Sequence, residues 1–201
     1  MSQCTFDCHD VNIVKYFLDT KKVNTDTITI MIISEAFPKN PEDYFDGKGS
    51  PSFIENTNFL FSKNGCSFTT YSDYLHKGIY LTTALKCMKK DYLVSAKTIE
   101  NCSHHLEKEL DLFKNLKVIL LMGDFAIKSV NYIWKRKYNT KIIPAGSTYK
   151  IRSEEFICNG IRLIPSYTQT GDSFGLEKSK VEMMTEDIGK ALTYSNGGLL
   201  R

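Results

Sequence analysis

The sequence predicts an α/β fold in which a mostly parallel sheet is covered by helices on both of its faces. Short apolar runs rich in β-branched residues alternate along the chain with segments whose apolar residues recur every three or four positions. The first pattern is typical of buried parallel strands and the second of amphipathic helices. Their alternation favours a parallel sheet between two helical layers. The predicted strands are residues 27–33, 78–85, 117–122 and 161–165.

The segments between the strands predict one long loop and several helices. Residues 34–53 are polar and contain three prolines, which indicates a loop. Helices are predicted after the later strands, at residues 96–116, from residue 124 onward and at 177–192. Residues 149–158 are interpreted as a strand or loop. Because ligands bind beyond the carboxyl ends of parallel strands, we expect the functional site among the loops that begin near residues 34, 83 and 166.

Composition and charge limit the class of protein. The chain has 201 residues, 42% hydrophobic and 24% charged, which is typical of one globular domain. Its formal net charge of +3 is too small to argue for nucleic acid by itself. No apolar run reaches the roughly 18 residues of a membrane span, and residues 1–10 lack the layout of a signal peptide. We expect a cytoplasmic monomer without a membrane partner, whose cysteines stay reduced.

Four of the six cysteines have the spacing of a ligand set. Cys4 and Cys8 form a C-x3-C pair, Cys87 follows the second predicted strand, and Cys102 lies in the first turns of the next helix. A strand end and the following helix can converge, and the N-terminal pair can reach that point as a clip. Four thiolates suit zinc or an iron–sulfur cluster; alternatively, the later pair is buried as apolar residues. The remaining two are interpreted as non-ligands: Cys66 and Cys158.

Five motifs follow one another along most of the chain. They read IISEAFPKNPEDYF, YLTTALKC, ENCSHHLEKEL, VILLMGDFAIKSV and LIPSYTQTG. Their order and spacing resemble the iron–sulfur branch of the uracil-DNA glycosylase superfamily. This resemblance implies a three-layer α/β/α sandwich around a central four-stranded, mostly parallel sheet, with residues 1–201 as a single domain.

The resemblance also implies a cofactor and an activity. A structural 4Fe–4S cluster, or alternatively zinc, would be held by Cys4, Cys8, Cys87 and Cys102, with residues 1–10 as the N-terminal clip. The protein would bind DNA, flip a damaged base into a pocket and hydrolyse its N-glycosidic bond, because a base inside the duplex cannot reach such a pocket.

Candidate catalytic residues come from the first and last motifs. Glu35 matches the glutamate of the first motif and would orient water or stabilise an oxocarbenium-like sugar; alternatively it caps a loop. The family's histidine, which hydrogen-bonds the departing base, falls on Thr168, or on Gln169 with a one-residue shift. Neither side chain acts as an imidazole does, so this departure puts ordinary activity in question.

Candidate base-binding residues lie in the same motifs. Phe53 matches the aromatic residue that stacks on the flipped base, and Tyr44 is the other candidate wall of the pocket. Thr83 stands where the family has a uracil-reading asparagine, although a hydroxyl cannot bridge two base atoms as an amide does. Two further positions complete this set: Ala36 and Ser166.

DNA contacts are expected at the rim around these residues. The loop at residues 166–176 would enter the minor groove, with Phe174 or Leu176 as the wedge. Lysines near the cluster and beyond the wedge would contact phosphates: Lys86, Lys89, Lys90 and Lys178.

Three functions follow from these observations. The first is a DNA glycosylase acting on a uracil-like or otherwise deaminated base. The second is a non-catalytic binder of nucleic acid or nucleobase that keeps the fold and the cluster, which the changes at Thr83 and Thr168 favour. The third is a zinc-stabilised α/β protein unrelated to DNA.

Overall fold

The computed structural model describes residues 4–13, 23–171 and 174–197, and they form a mixed sheet flanked by helices. The sheet has six strands in the order β1-β3-β2-β4-β6-β5. The α/β prediction is confirmed, but the sheet has six strands where four were expected. The strands are β1 (Val11–Asn12), β2 (Ile30–Phe37), β3 (Ile79–Lys89), β4 (Val118–Met122), β5 (Phe156–Cys158) and β6 (Ile161–Ser166).

The four predicted strands are the parallel ones in the middle of the sheet. Ile30 in β2 lies opposite Ile79 in β3 and Val118 in β4, and Val118 in turn lies opposite Arg162 in β6. The two additional strands pair antiparallel at the edges. They are only two and three residues long, and so they lack the apolar run by which the central strands were predicted.

Two helical layers cover the sheet. Helix α3 packs with α4 on one side, and α1 packs with α6 on the other. The helices are α1 (Ser52–Ser62), α2 (Tyr71–His76), α3 (Ala96–Leu110), α4 (Asp124–Tyr138), α5 (Thr148–Ile151) and α6 (Lys178–Ser195). None of the described helices is long and apolar enough to cross a membrane.

Several predicted boundaries are wrong. Strand β3 continues four residues past its predicted end, to Lys89, and so contains Cys87. Strand β2 extends through Ser34 and Glu35 to Phe37, so the expected loop begins four residues later, and α1 starts at its far end. Helix α3 stops at Leu110, although Phe113 and Leu116 beyond it are still buried in a turn. Apolar spacing reports burial, and here burial continues past the last helical residue.

Gly123 brings β2 and α4 together at the carboxyl edge of the sheet. Its φ of +108° lies in the region that glycine tolerates, and a Cβ there would meet Glu35 Cγ at 2.5 Å. This close approach places the Glu35 carboxylate against the first turn of α4.

Candidate functional site

Ser34 and Gln169 form a buried polar pair at the carboxyl edge. Gln169 follows β6, and its Nε2 donates to Ser34 Oγ in β2 at 2.7 Å. Both side chains are 0% exposed. Gln169 Oε1 has no hydrogen-bond partner among the described residues. A buried acceptor without a partner costs about 1–3 kcal/mol, which makes this oxygen the clearest candidate for contacting a ligand.

Tyr44 and Thr83 lie beside this pair. Thr83 is opposite Ser34 in the β2–β3 register, and its hydroxyl donates to the Leu85 carbonyl at 2.9 Å. The Tyr44 side chain hydrogen-bonds with Thr83 and with Thr82. Burial raises the pKa of Tyr44 far above its ordinary value, so its hydroxyl stays protonated. The Thr83 hydroxyl is committed to protein partners in this conformation.

Phe53 joins Tyr44 in an aromatic cluster that closes the site. Its ring centroid is 6.4 Å from that of Tyr44, and the Tyr44 ring is stacked on Phe37 at 4.8 Å. One turn along α1, the Asn56 amide donates to the Gln169 carbonyl at 3.2 Å. We call Ser34, Tyr44, Phe53, Thr83 and Gln169 the base side of the rim. The structure therefore links three predicted base-binding residues, Tyr44, Phe53 and Thr83, and connects the predicted catalytic Gln169 with Ser34.

Glu35 lies against α4. Its carboxylate accepts hydrogen bonds from the backbone N–H groups of Asp124, at 3.1 Å, and of Phe125. Gly123 offers no side-chain cap, so Glu35 supplies the anionic partner that a helix N-terminus favours. Burial raises the pKa of Glu35, and Lys89 and the two N–H groups offset only part of that. These contacts agree with the alternative prediction that Glu35 caps a structural element. The raised pKa also allows the same carboxyl group to transfer a proton.

The other three candidates of this group have separate environments. Ser166 is fully buried, and its hydroxyl donates to Asp187 at 2.8 Å. The Thr168 hydroxyl makes long contacts with Thr170: with its hydroxyl at 3.3 Å, with its carbonyl at 3.4 Å and with its N–H at 3.4 Å. Ala36 packs with Cys102 in a small apolar cluster next to the cysteines.

The four predicted ligand cysteines line one cavity. Cys4, Cys8, Cys87 and Cys102 surround it together with apolar side chains from the N-terminal segment and β3. The backbone N–H of Lys86 donates to Cys102 Sγ at 3.1 Å. Burial raises the pKa of the Cys102 thiol to about 12, and the neighbouring Cys87 and Cys4 thiols add to it. A cation in the cavity would be required to hold this sulfur as a thiolate.

Four thiols that line one cavity are a donor set that suits a metal group. Among the described residues, no group of three or more His, Cys, Asp and Glu side chains has the geometry of a single metal-ion site. In a 4Fe–4S cluster each cysteine binds a different iron, so the sulfurs lie around a larger body. The rim is the carboxyl edge of the sheet with its loops. We call this cavity, together with residues 4–13, the cluster side of the rim.

The N-terminal segment is attached to the cluster side by several contacts. Val11 pairs with Lys89 in the β1–β3 ladder. The Asp10 carboxylate accepts from the Ser95 N–H at 2.6 Å and from the Thr98 hydroxyl at 2.5 Å, at the start of α3. Desolvation would raise the pKa of Asp10, but these hydrogen bonds outweigh it and lower the pKa. The Phe6 ring stacks on His104 at 5.7 Å.

The predicted phosphate contacts divide into one buried and three accessible lysines. Lys86 is 7% exposed, and its ammonium binds Glu109 Oε2 at 2.8 Å and Thr82 at 2.6 Å. A phosphate contact does not fit that placement, because the charge is neutralised inside the protein. Lys90 is exposed but donates to the His9 carbonyl at 2.7 Å. Lys89 is half-buried and Lys178 is exposed.

The predicted wedge is divided between two environments. Phe174 is half-buried, and its ring meets Phe59 edge-on at 6.2 Å. Leu176 is 77% exposed. Of the two candidates, Leu176 is therefore the side chain that reaches solvent.

Sequence reasoning missed three residues that build the site. The sequence motifs assign no role to Ser34, yet its hydroxyl accepts the hydrogen bond of the Gln169 amide. Asp10 could have been found from the Ser-x-x-Thr start of α3, which offers hydrogen-bond donors to an acidic partner. Glu109 left no signal, since its pairing with Lys86 joins residues 23 positions apart.

The fold and the rim define an α/β protein with a buried amide site and a cysteine-lined cavity at one edge of its sheet. A family model described as the uracil DNA glycosylase superfamily matches residues 21–177. The chain belongs to this superfamily, which confirms the family predicted from its motifs and supports a glycosylase-like function on DNA. No curated protein matches the chain. The assignment to the iron–sulfur branch stays a prediction.

Proposed function

We propose that this protein binds DNA and hydrolyses the N-glycosidic bond of a flipped, uracil-like or otherwise deaminated base. The observation that carries the proposal is Gln169 Oε1, a buried acceptor at the carboxyl edge of the sheet that has no hydrogen-bond partner among the described residues. Deaminated bases present a ring N–H beside a carbonyl, and this N–H would satisfy the buried oxygen. The superfamily membership supports the same reaction class.

The neighbouring residues have distinct roles in this proposal. Tyr44 and Phe53 would provide aromatic surface to the base, and Ser34 would orient the Gln169 amide. Because Ser34 and Gln169 are fully buried, the loop after β6 would open to admit the nucleotide. Glu35, with its raised pKa, would orient water or balance the positive charge that develops on the sugar.

The proposal includes a resident cofactor on the cluster side. Cys4, Cys8, Cys87 and Cys102 would hold a 4Fe–4S cluster, with zinc as the alternative. The cluster would link the N-terminal segment to β3 and α3 and would take no part in bond cleavage. The Lys86 N–H bond to Cys102 Sγ supports this, because hydrogen bonds to sulfur tune such clusters. A monomeric state and a cytoplasmic location stay predictions.

A cleavage assay tests the proposed reaction. Metal-loaded protein is incubated with oligonucleotides containing uracil, hypoxanthine or xanthine, and abasic products are converted to strand breaks with alkali. We expect cleavage of at least one substrate. Glu35→Gln keeps an oxygen for the α4 cap but removes the charge, and it should slow cleavage at least about 100-fold. Glu55→Gln, at an exposed carboxylate of α1, is the matched control and should cleave normally.

A second candidate function is non-catalytic binding of the same flipped base. It is favoured by the commitment of the Thr83 hydroxyl to Leu85 and of the Glu35 carboxylate to the α4 N-terminus. Tight, salt-dependent binding without cleavage of any of the three substrates would support this function and contradict the first. Absence of both binding and cleavage would contradict both.

A further inference from the structure

The most exposed large apolar side chains of the described residues lie on two loops of the same rim. Tyr92 is 88% exposed, Leu93 is 80% and Leu176 is 77%. Tyr92 and Leu93 follow β3, whereas Leu176 follows β6. Both strands end at the carboxyl edge, so both loops begin at the edge of the sheet where the base side lies. Large apolar side chains that are this exposed are candidates for contact with a partner.

The Tyr92–Leu93 loop is held in place at both ends. Before it, the Lys90 N–H donates to the Asp10 carbonyl at 3.1 Å, and the Lys90 ammonium donates to the His9 carbonyl at 2.7 Å. After it, the Ser95 N–H donates to the Asp10 carboxylate at 2.6 Å. The N-terminal segment therefore fixes the loop, which lowers the entropy lost when it binds a partner.

Positive charge surrounds the exposed ring. The Lys89 ammonium lies 5.7 Å from the Tyr92 ring centroid and 5.2 Å from that of Phe125. Lys90 and Lys178 are exposed on the same two segments. On the described parts of these segments, lysines outnumber the carboxylates, which are Asp91 and Glu177.

The segment that follows β6 also places a lysine beside an aromatic ring. The Lys180 ammonium, at the start of α6, lies 5.4 Å from the Tyr167 ring centroid. The pKa of Lys180 is raised, first by its hydrogen bond to Glu177 and further by Tyr167 and Tyr92. Lys180 therefore adds a second lysine beside an aromatic ring at the carboxyl edge.

We propose that Tyr92 and Leu93 form a second DNA-contacting element, opposite Leu176, and that the Tyr92 ring stacks on a base beside the flipped nucleotide. This inference rests on the proposed DNA binding and adds residues to it. Lysines around an exposed aromatic ring suit DNA, since ammonium groups bind phosphates and the ring face stacks on any base. A membrane or an acidic protein would also bind the lysines, but neither offers a planar group on which the Tyr92 ring stacks.

The test compares DNA affinities of the full chain by fluorescence anisotropy. The probe is a labelled duplex carrying a central abasic site, measured at several salt concentrations. Tyr92→Ala should weaken binding roughly 5- to 150-fold, the range for loss of one stacked base, with no change in salt dependence because no charge is removed. Tyr92→Phe should bind as the wild type does. The control is Tyr149→Ala, at a tyrosine that is 68% exposed elsewhere on the surface.

The outcomes separate this inference from the proposed function. Wild-type binding that Tyr92→Ala leaves intact would overturn the inference alone and assign the loop to another partner. Equal losses in Tyr92→Ala and Tyr149→Ala would also overturn it, because the loss would not belong to this loop. If the wild type does not bind this duplex, the proposed function fails and the inference fails with it.

Discussion

The cluster side and the base side of the rim lie next to each other but are built in different ways. On the cluster side the Asp10 carboxylate has two donors, Cys102 Sγ accepts an N–H, and the Lys86 ammonium is paired with Glu109. On the base side the Gln169 amide has one partner for its nitrogen and none among the described residues for its oxygen.

The difference indicates which region is structural and which is available to a ligand. Buried polar groups in folded proteins are nearly always paired, so a satisfied network contributes to folding. An unpaired buried acceptor lowers stability and regains that energy only when a donor arrives. By this criterion we propose that the cluster side supports the fold and that the base side is where a ligand is recognised.

The largest expected effect comes from removing a cysteine of the cluster side. Cys102→Ser should abolish the visible absorption of an iron–sulfur cluster in anaerobically purified protein and should lower the free energy of unfolding by more than about 4 kcal/mol, as loss of a structural metal group does. Cys158→Ser, at a half-buried cysteine of β5, is the control. If the wild-type protein is colourless and contains zinc, zinc is the resident metal and the iron–sulfur cluster is contradicted. If it contains no metal and Cys102→Ser leaves its stability unchanged, both the cluster and zinc are contradicted.

The next effect concerns the buried ion pair beside the cysteines. Lys86→Met leaves the Glu109 carboxylate, 5% exposed, without its cation. Leaving a buried charge unpaired costs about 3–5 kcal/mol. The double variant Lys86→Met with Glu109→Met should regain most of that loss. Urea denaturation followed by circular dichroism measures both, with Lys114→Met as the exposed control.

If Lys86→Met were as stable as the wild type and instead weakened DNA binding, the original expectation for Lys86 as a phosphate contact would be supported. The same outcome would weaken the comparison between the two sides, because a lysine of the cluster side would then serve the ligand.

The sequence was sufficient to predict the central sheet and to select the cysteines that share a cavity. The parallel strands are continuous apolar runs. Cys87 lies two residues before the end of β3 and Cys102 in the second turn of α3, close to the predicted strand end and helix start. It was not sufficient for residues whose role depends on a distant partner. The sequence groups Lys86 with the other rim lysines, whereas in the structure its ammonium binds Glu109. Ser34 lies next to Thr83 only because of the strand register, which the sequence does not reveal.

Gln169→Leu tests the base side, where the expected effect on folding is small. The substitution removes the hydrogen bond to Ser34 but also removes an unpaired buried oxygen, so the free energy of unfolding should change by less than about 1 kcal/mol. Affinity for uracil-containing DNA should fall about 10-fold, the loss of one hydrogen bond to the base.

DNA with an abasic site is the matched control for this variant, because it lacks the base that Gln169 would contact. Wild type and Gln169→Leu should bind it equally. Equal losses on both DNAs would mean that Gln169 acts only on the shape of the loop, and the distinction between the two sides would lose its main support.

The smallest expected effect is a pH dependence of stability caused by Glu35. This residue both caps α4 and is a proposed catalytic group. Burial raises its folded-state pKa above the ordinary value of 4.5, with Lys89 and the α4 N–H groups opposing. The folded protein then binds this proton more tightly than the unfolded chain, so the carboxyl's contribution to stability is present below pH 4.5 and is lost as the pH rises through the folded-state pKa.

Glu35→Gln has no such proton, so it isolates this contribution. The stability of the wild type relative to Glu35→Gln, measured by urea denaturation across this pH range, should fall as the pH rises and then become constant. A relative stability that rises with pH would show that the N–H groups of α4 and Lys89 favour the ionised carboxylate. Glu35 would then belong with the satisfied, structural groups of the cluster side, and its proposed role in proton transfer would be lost.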